Sequence, residues 1–164
     1  MKTPPSPSAQ EHKTYLINGE LLQWSGPTAE VVSPILTGRL SEDGDAAGVR
    51  LGSAPDMDEA SALTALDSAR NAYDFGRGAW PTADASVRIQ AMEKFIALMV
   101  PKREEVVNLL MWEICKKRSD AEKEFDRTVI YLQETVEEYK NLHREGSHIT
   151  SVNGTLAQIR RGPI

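Results

Sequence analysis

The sequence predicts an α/β chain in three stretches. A β-hairpin with further short strands comes first, a block of four helices covers about residues 56–145, and a β-hairpin arm covers about residues 147–164. Three observations carry this reading. Asn-Gly pairs at 18–19 and 153–154 each lie between short apolar runs, and Asn-Gly readily adopts the two positive φ angles of a tight hairpin turn. Between them the apolar residues recur every three or four positions, the period of a helix. Before residue 56, short β-like runs are punctuated by proline.

The elements follow in order. Residues 1–13, "MKTPPSPSAQEHK", hold three prolines and no large aliphatic beyond Met1, so they bury too little to offset the entropy of ordering and are expected to form a mobile tail. The hairpin is "TYLINGELLQW". "VVSPI" from residue 31 is a short strand expected to halt at Pro34. "LTGRLSEDGDAAG" reads as a loop, and "VRLGSA" as a strand closed by Pro55.

Asp56 with Glu59 has the spacing of a capping box for the first helix, along which Leu63, Leu66, Ala69 or Arg70, and Tyr73 follow at helical spacing. Thr82 or Asp84 caps a second helix with Ile89, Met92, Ile96 and Met99 on one face. Pro101 opens a third, where its missing N–H is harmless, with Val106, Leu109 or Leu110, and Ile114 inward. Ser119 or Asp120 caps the fourth, which runs to about His143 or Arg144. Its stripe is Phe125, Val129, Leu132, Val136 and Tyr139, and this spacing is the strongest periodic signal in the chain. "HITSV" and "TLAQIRRGPI" then read as two strands.

Composition narrows the function. With 164 residues, 40% of them hydrophobic and 26% charged, the chain can bury a core of its own. A net charge of −5 disfavours nucleic acid, which selects basic surfaces, and anionic membrane for the same reason. No apolar run approaches a membrane span, and the N-terminus has no apolar signal core. A single cysteine, Cys115, excludes an internal disulfide and fits a reducing cytoplasm.

The usual catalytic constellations are missing. Cys115 with His143 and His148 is weak evidence for a nucleophile and base, and a packed or half-buried thiol at a helix C-terminus is the plainer reading. The histidines lack metal-ligand spacing. The glycines form neither G-x-G-x-x-G nor a P-loop. Arg127 raises a sharper question. It lies about 200° around the fourth helix from Phe125, opposite the apolar stripe. Its pattern alone reads as a solvated charge in a weak pair with Glu124, three residues before it.

The order of the pieces resembles a known family. "YLINGELLQW" is similar to the N-terminal hairpin of aldehyde dehydrogenases. The run from "VRLGSAPDMDEAS" through "MVPKREEVVNLLMWE" resembles that family's first helical block. "TLAQIRRGPI" resembles the strand that leads into its coenzyme domain. The likeness covers residues 14–164 and implies an aldehyde dehydrogenase-like α/β fold.

Within the family, "SDAEKEFDRTVIYLQETVEEY" is most similar to the non-phosphorylating, NADP-dependent glyceraldehyde-3-phosphate dehydrogenases. Their "E..RT" segment carries an arginine that binds substrate phosphate, and Glu124, Arg127 and Thr128 match it. A guanidinium suits phosphate because its donors form a rigid fork. Two departures stand out. Cys115 occupies a position where glycine is common, and the loop at 36–48 is long.

The resemblance implies an enzyme that uses NADP or NAD to oxidise an aldehyde, most simply glyceraldehyde 3-phosphate, with Arg127 on the substrate. It also implies a homo-oligomer joined through β strands. The family's catalytic cysteine, activating glutamate and glycine-rich cofactor turn would lie beyond Ile164, so this stretch is expected to be inactive alone. The competing reading is a stand-alone α+β interaction module without catalysis.

Overall fold

The computed structural model describes residues 5–40, 46–146 and 149–158. The chain divides into two compact units. One comprises residues 1–69 and 102–126, and the other residues 70–101 and 127–164.

The first unit is built on a sheet. Strands β1 (Gln10–Glu11), β4 (Thr28–Leu40) and β5 (Ala46–Pro55) form it in the order β1-β5-β4, with β4 antiparallel and β1 parallel to β5. Strands β2 (Thr14–Ile17) and β3 (Glu20–Gln23) form a separate hairpin that pairs Ile17 with Glu20. Its turn is as the sequence predicts, with Asn18 and Gly19 at φ 51° and 80°.

Helix α3 (Arg103–Glu113) packs on β4. The Ser33 hydroxyl donates to the Trp112 carbonyl, so a residue of β4 satisfies one of the acceptors that every helix leaves open in its last turn. The buried side chains of this unit include Ile17, Leu51, Val107, Trp112, Ala121 and Phe125.

The second unit holds helix α2 (Ala85–Met99), the greater part of helix α4 (Arg118–Glu145), and a hairpin of β6 (Ile149–Val152) and β7 (Thr155–Gln158). The α4 stripe appears as its spacing requires. Phe125 and Val136 are buried, and Val129, Leu132 and Tyr139 are half-buried. Asn153 and Gly154 turn the last hairpin at φ 50° and 82°.

Several sequence expectations are corrected. Residues 10–11, inside the expected tail, form β1. Strand β4 does not halt at Pro34 but runs 13 residues. It is an edge strand, and its register shifts between Val32 and Leu36; edge strands and bulges are where a proline's missing donor is tolerated. Much of the expected loop at 36–48 is therefore strand, and residues 41–45 lie outside the described residues.

Helix α1 (Glu59–Tyr73) is started by Asp58, whose carboxylate accepts the Ser61 N–H at 2.8 Å, rather than by Asp56. It buries none of its residues, Leu63 and Leu66 included. Pro101 sits in a 3-10 turn, Val100–Lys102, ahead of α3. That helix buries Val107 and Trp112, while Val106 is half-buried and Ile114 is 55% exposed. Helix α4 starts at Arg118, one residue before its expected cap, with the Lys117 carbonyl accepting the Ala121 N–H. The continuation of the last strand over 159–164 lies outside the described residues.

Candidate functional site

Arg127 stands on the exposed face of α4. Its Nη2 donates to the Tyr131 hydroxyl at 2.6 Å, and the guanidinium carbon lies 5.4 Å from the centre of the Tyr131 ring. One turn of helix separates the two residues, so their side chains meet without help from elsewhere in the fold. Tyr131 is itself anchored in a regular stretch, where the Thr135 hydroxyl donates back to its carbonyl at 2.6 Å. The hydroxyl contact raises the affinity of Arg127 for its proton, and the partner it offers is neutral. Glu124, the expected ion-pair partner of Arg127, pairs with Lys116.

The start of α4 is held differently. Arg103 on α3 forks onto Asp126, with Nε and Nη2 at 2.8 and 2.9 Å from its two carboxylate oxygens. Arg118 reaches Glu104 at 2.6 Å and Glu122 at 3.0 Å. The hydrogen bond from Arg103 holds the Asp126 carboxyl below its ordinary range. Arg118, before Arg103, does the same for Glu104. These are bidentate or networked charge-assisted bonds, which fix geometry better than isolated surface pairs. They pin the beginning of α4 to α3, and Arg127 follows one residue after the pinned Asp126. Sequence reasoning missed this network because Arg103 and Asp126 are 23 residues apart, beyond the reach of any helical-spacing rule.

Cys115 is exposed, not half-buried, and lies between α3 and α4 at φ 55°. Such a left-handed residue ends a helix most easily as glycine. The family-like glycine position is thus a real backbone requirement, met here by cysteine. His143 lines an open groove of about 550 Å³ together with Asp84, Ser86, Glu137, Lys140 and Arg144. The Lys140 ammonium there is engaged by Glu137 at 2.6 Å and Glu93 at 2.9 Å. His148 lies outside the described residues. Among the described residues no cluster of His, Cys, Asp or Glu could hold a metal ion, and no helix is long and apolar enough to cross a membrane.

The arrangement can do one thing chemically. It presents a permanently charged fork of donors on a rigid helix, with a phenol beside it. That suits recognition of an anion rather than bond-making.

Comparison with known proteins places this geometry in context. The described fold superposes on an NAD-dependent aldehyde dehydrogenase from Sinorhizobium meliloti with TM-score 0.65 and 22% identity, covering 80% of this chain and 24% of that one. It superposes on lactaldehyde dehydrogenase from Escherichia coli with TM-score 0.66 and 22% identity, covering 89% and 27%. For an NAD-dependent benzaldehyde dehydrogenase from Corynebacterium glutamicum the values are 0.61, 18%, 86% and 27%. The chain thus spans about a quarter of the length of these structures, and at these identities they speak for the fold. No curated protein matches the chain. The sequence profile of the aldehyde dehydrogenase family, however, matches residues 43–164. Over most of its length, then, this chain belongs to the aldehyde dehydrogenase family.

Proposed function

We propose that the chain is one segment of a cytoplasmic, NAD- or NADP-dependent aldehyde dehydrogenase, and that Arg127 binds the phosphate of a phosphorylated aldehyde such as glyceraldehyde 3-phosphate. Family membership over residues 43–164 carries the reaction class. The substrate class is supported by the "E..RT" likeness and by the surroundings of Arg127: an exposed guanidinium on α4 whose hydroxyl partner is neutral.

When bound, a nicotinamide nucleotide would supply the hydride acceptor for a thiolate-dependent oxidation of the aldehyde. This segment's share is to hold the substrate. Arg127 fixes the phosphate end, so that binding energy remote from the carbonyl restricts the motion of the reacting end. Arg103–Asp126 and Arg118–Glu104 tie the start of α4, just before Arg127 in the chain, to α3.

The hairpin β6–β7 is exposed at all eight of its residues, with Ile149 and Leu156 at 65% and 74%. Isolated two-stranded hairpins are marginal in water, which supports a homo-oligomer that covers these strands.

The test uses the enzyme that contains this segment. Its kcat/KM for glyceraldehyde 3-phosphate is compared with that for unphosphorylated glyceraldehyde, before and after Arg127→Ala. A selective loss on the phosphorylated substrate supports the assignment. Equal loss on both, or none, removes it. Separately, residues 1–164 alone should form no NAD(P)H with any aldehyde, and turnover that persists through repurification would refute the segment reading.

A further inference from the structure

Residues 5–13 carry the composition of a mobile tail, yet they follow a defined path over the first unit. The Asn108 side-chain amide of α3 donates to the Pro5 carbonyl at 3.4 Å. Gln10 and Glu11 then pair with Gly52 and Ser53, and the His12 N–H reaches the Ser53 carbonyl at 2.9 Å.

Side chains close over this strand. Arg50 forks onto Glu11, with Nη1 and Nη2 at 2.5 and 3.1 Å from its two oxygens, and its Nε reaches Glu30 at 2.9 Å. The Ser53 hydroxyl, on a residue only 3% exposed, donates to the same Glu11 carboxylate at 2.5 Å. One carboxylate therefore receives three donors and joins β1 to the strand beneath it. Without Glu11, the buried Ser53 hydroxyl would lose an acceptor, which is the costly way to break a hydrogen bond.

The floor of this path is also specific. Gly52 has φ 150°, and a Cβ there would overlap the Gln10 carbonyl oxygen and crowd its backbone nitrogen. A glycine in the interior of a strand weakens it unless something must come close. Here the close approach is made by β1 itself. Gly52 and Ser53 thus have a single explanation in common, the passage of Gln10–Glu11.

We propose that residues 5–13 are a docked strap, seated in a slot with Gly52 as its floor and clasped by Glu11 to Arg50 and Ser53, which closes the outer edge of β5. An uncovered strand edge is a template for pairing with another chain. The strap supplies a two-residue cover at the point where the slot is built.

The proposal is tested in the full chain by limited trypsin cleavage after Lys13, with hydrogen exchange of the His12 amide as a second readout. Glu11→Gln keeps size and shape but loses the charge that the fork requires. It should raise the cleavage rate and the His12 exchange rate about tenfold, because local opening sets both. Amides of α3 should exchange as before. The difference should shrink in high salt, which screens exposed pairs, since Arg50 and Glu11 are 42% and 44% exposed.

Gly52→Ala should release the strap at least as much. If that variant does not fold, Glu11→Gln and Arg50→Gln decide the matter alone. Released variants should also associate at concentrations where the parent is monodisperse. Parent-like cleavage and exchange in Glu11→Gln would overturn the clasp. Release without added association would overturn the edge-closing role.

Discussion

Arg50 and Arg127 are two arginines on regular elements with exposed heads, and the molecule treats them in opposite ways. Arg50 sits on β5 between two carboxylates, with every bond to Glu11 and Glu30 reaching across strands. Arg127 sits on α4 and meets the ring and hydroxyl of Tyr131, both neutral, one turn along its own helix. A guanidinium whose donors are taken by carboxylates is a fastener, and an anion would have to displace acid to reach it. One that leans on a phenol keeps its charge in place and available to an anion. The same residue type is structural in the first setting and points to recognition in the second, and exposure alone does not separate them.

The sharpest way to break this comparison is to show that Arg127 is needed for the fold. The scale is set by Phe125, two residues earlier on the same helix and only 3% exposed. Phe125→Ala should destabilise the chain by about 3–5 kcal/mol, the usual cost of removing a buried phenyl ring. Arg127→Ala should change stability by no more than about 0.5 kcal/mol, as surface substitutions do. Denaturant titration of both variants measures the contrast, and comparable losses would make Arg127 structural.

In the enzyme proposed to contain the segment, Arg127→Ala should then reduce kcat/KM for a phosphorylated aldehyde by roughly ten- to a hundredfold or more. That follows from losing charge-assisted hydrogen bonds of about 1.5–3 kcal/mol. Arg127→Lys should recover part of the loss, since an ammonium keeps the charge without the fork. Tyr131→Phe sharpens the point further. If the hydroxyl only leans on Arg127, the phosphorylated substrate should lose far less than in Arg127→Ala.

How much of this was legible in the sequence depends on how local each signal was. The two Asn-Gly hairpins and the α4 stripe were readable because turn chemistry and helical period act within a few residues. Arg127 was readable as a residue on the polar face, and its contact with Tyr131 lies within one turn. The clasp was not readable, because Glu11 and Arg50 are 39 residues apart and only strand pairing brings them together. Proline misled at residue 34, where the rule for strand interiors met an edge strand with shifted register. The apolar spacing of α1 misled too. Leu63 and Leu66 have the right period but are exposed in this chain, because period identifies a face without supplying what covers it.

The Arg50 side of the comparison makes a pH prediction. The Glu11 carboxyl is lowered from 4.5 to about 2, first by the Arg50 hydrogen bond and then by that of Ser53. A folded value below the unfolded one means that the group stabilises fully above pH 4.5. That contribution fades as the pH falls and is gone once it passes through about 2. Carbon NMR of the Glu11 carboxyl in the folded chain should show a midpoint near 2, and Arg50→Gln should raise it. A midpoint at 4.5 in the parent chain would mean that the clasp is not formed in solution.

The smallest effect tests whether the link between α3 and α4 carries the strain its backbone implies. Cys115 holds φ 55°, a left-handed conformation that costs an L-residue roughly 1–2 kcal/mol because its Cβ crowds the neighbouring carbonyl. Glycine is free of that crowding, although its flexibility in the unfolded chain offsets about 0.5–1 kcal/mol of the gain. Cys115→Gly should therefore stabilise the chain by no more than about 1 kcal/mol. Cys115→Ala is the control, since alanine keeps the Cβ and removes only the thiol, and its melting temperature should stay near the parent's. If alanine stabilises as much as glycine, the thiol rather than the backbone is at fault. If glycine destabilises, the thiol makes a contact worth more than the strain. Either result would alter only this link, because the contacts of Arg50 and Arg127 do not involve Cys115.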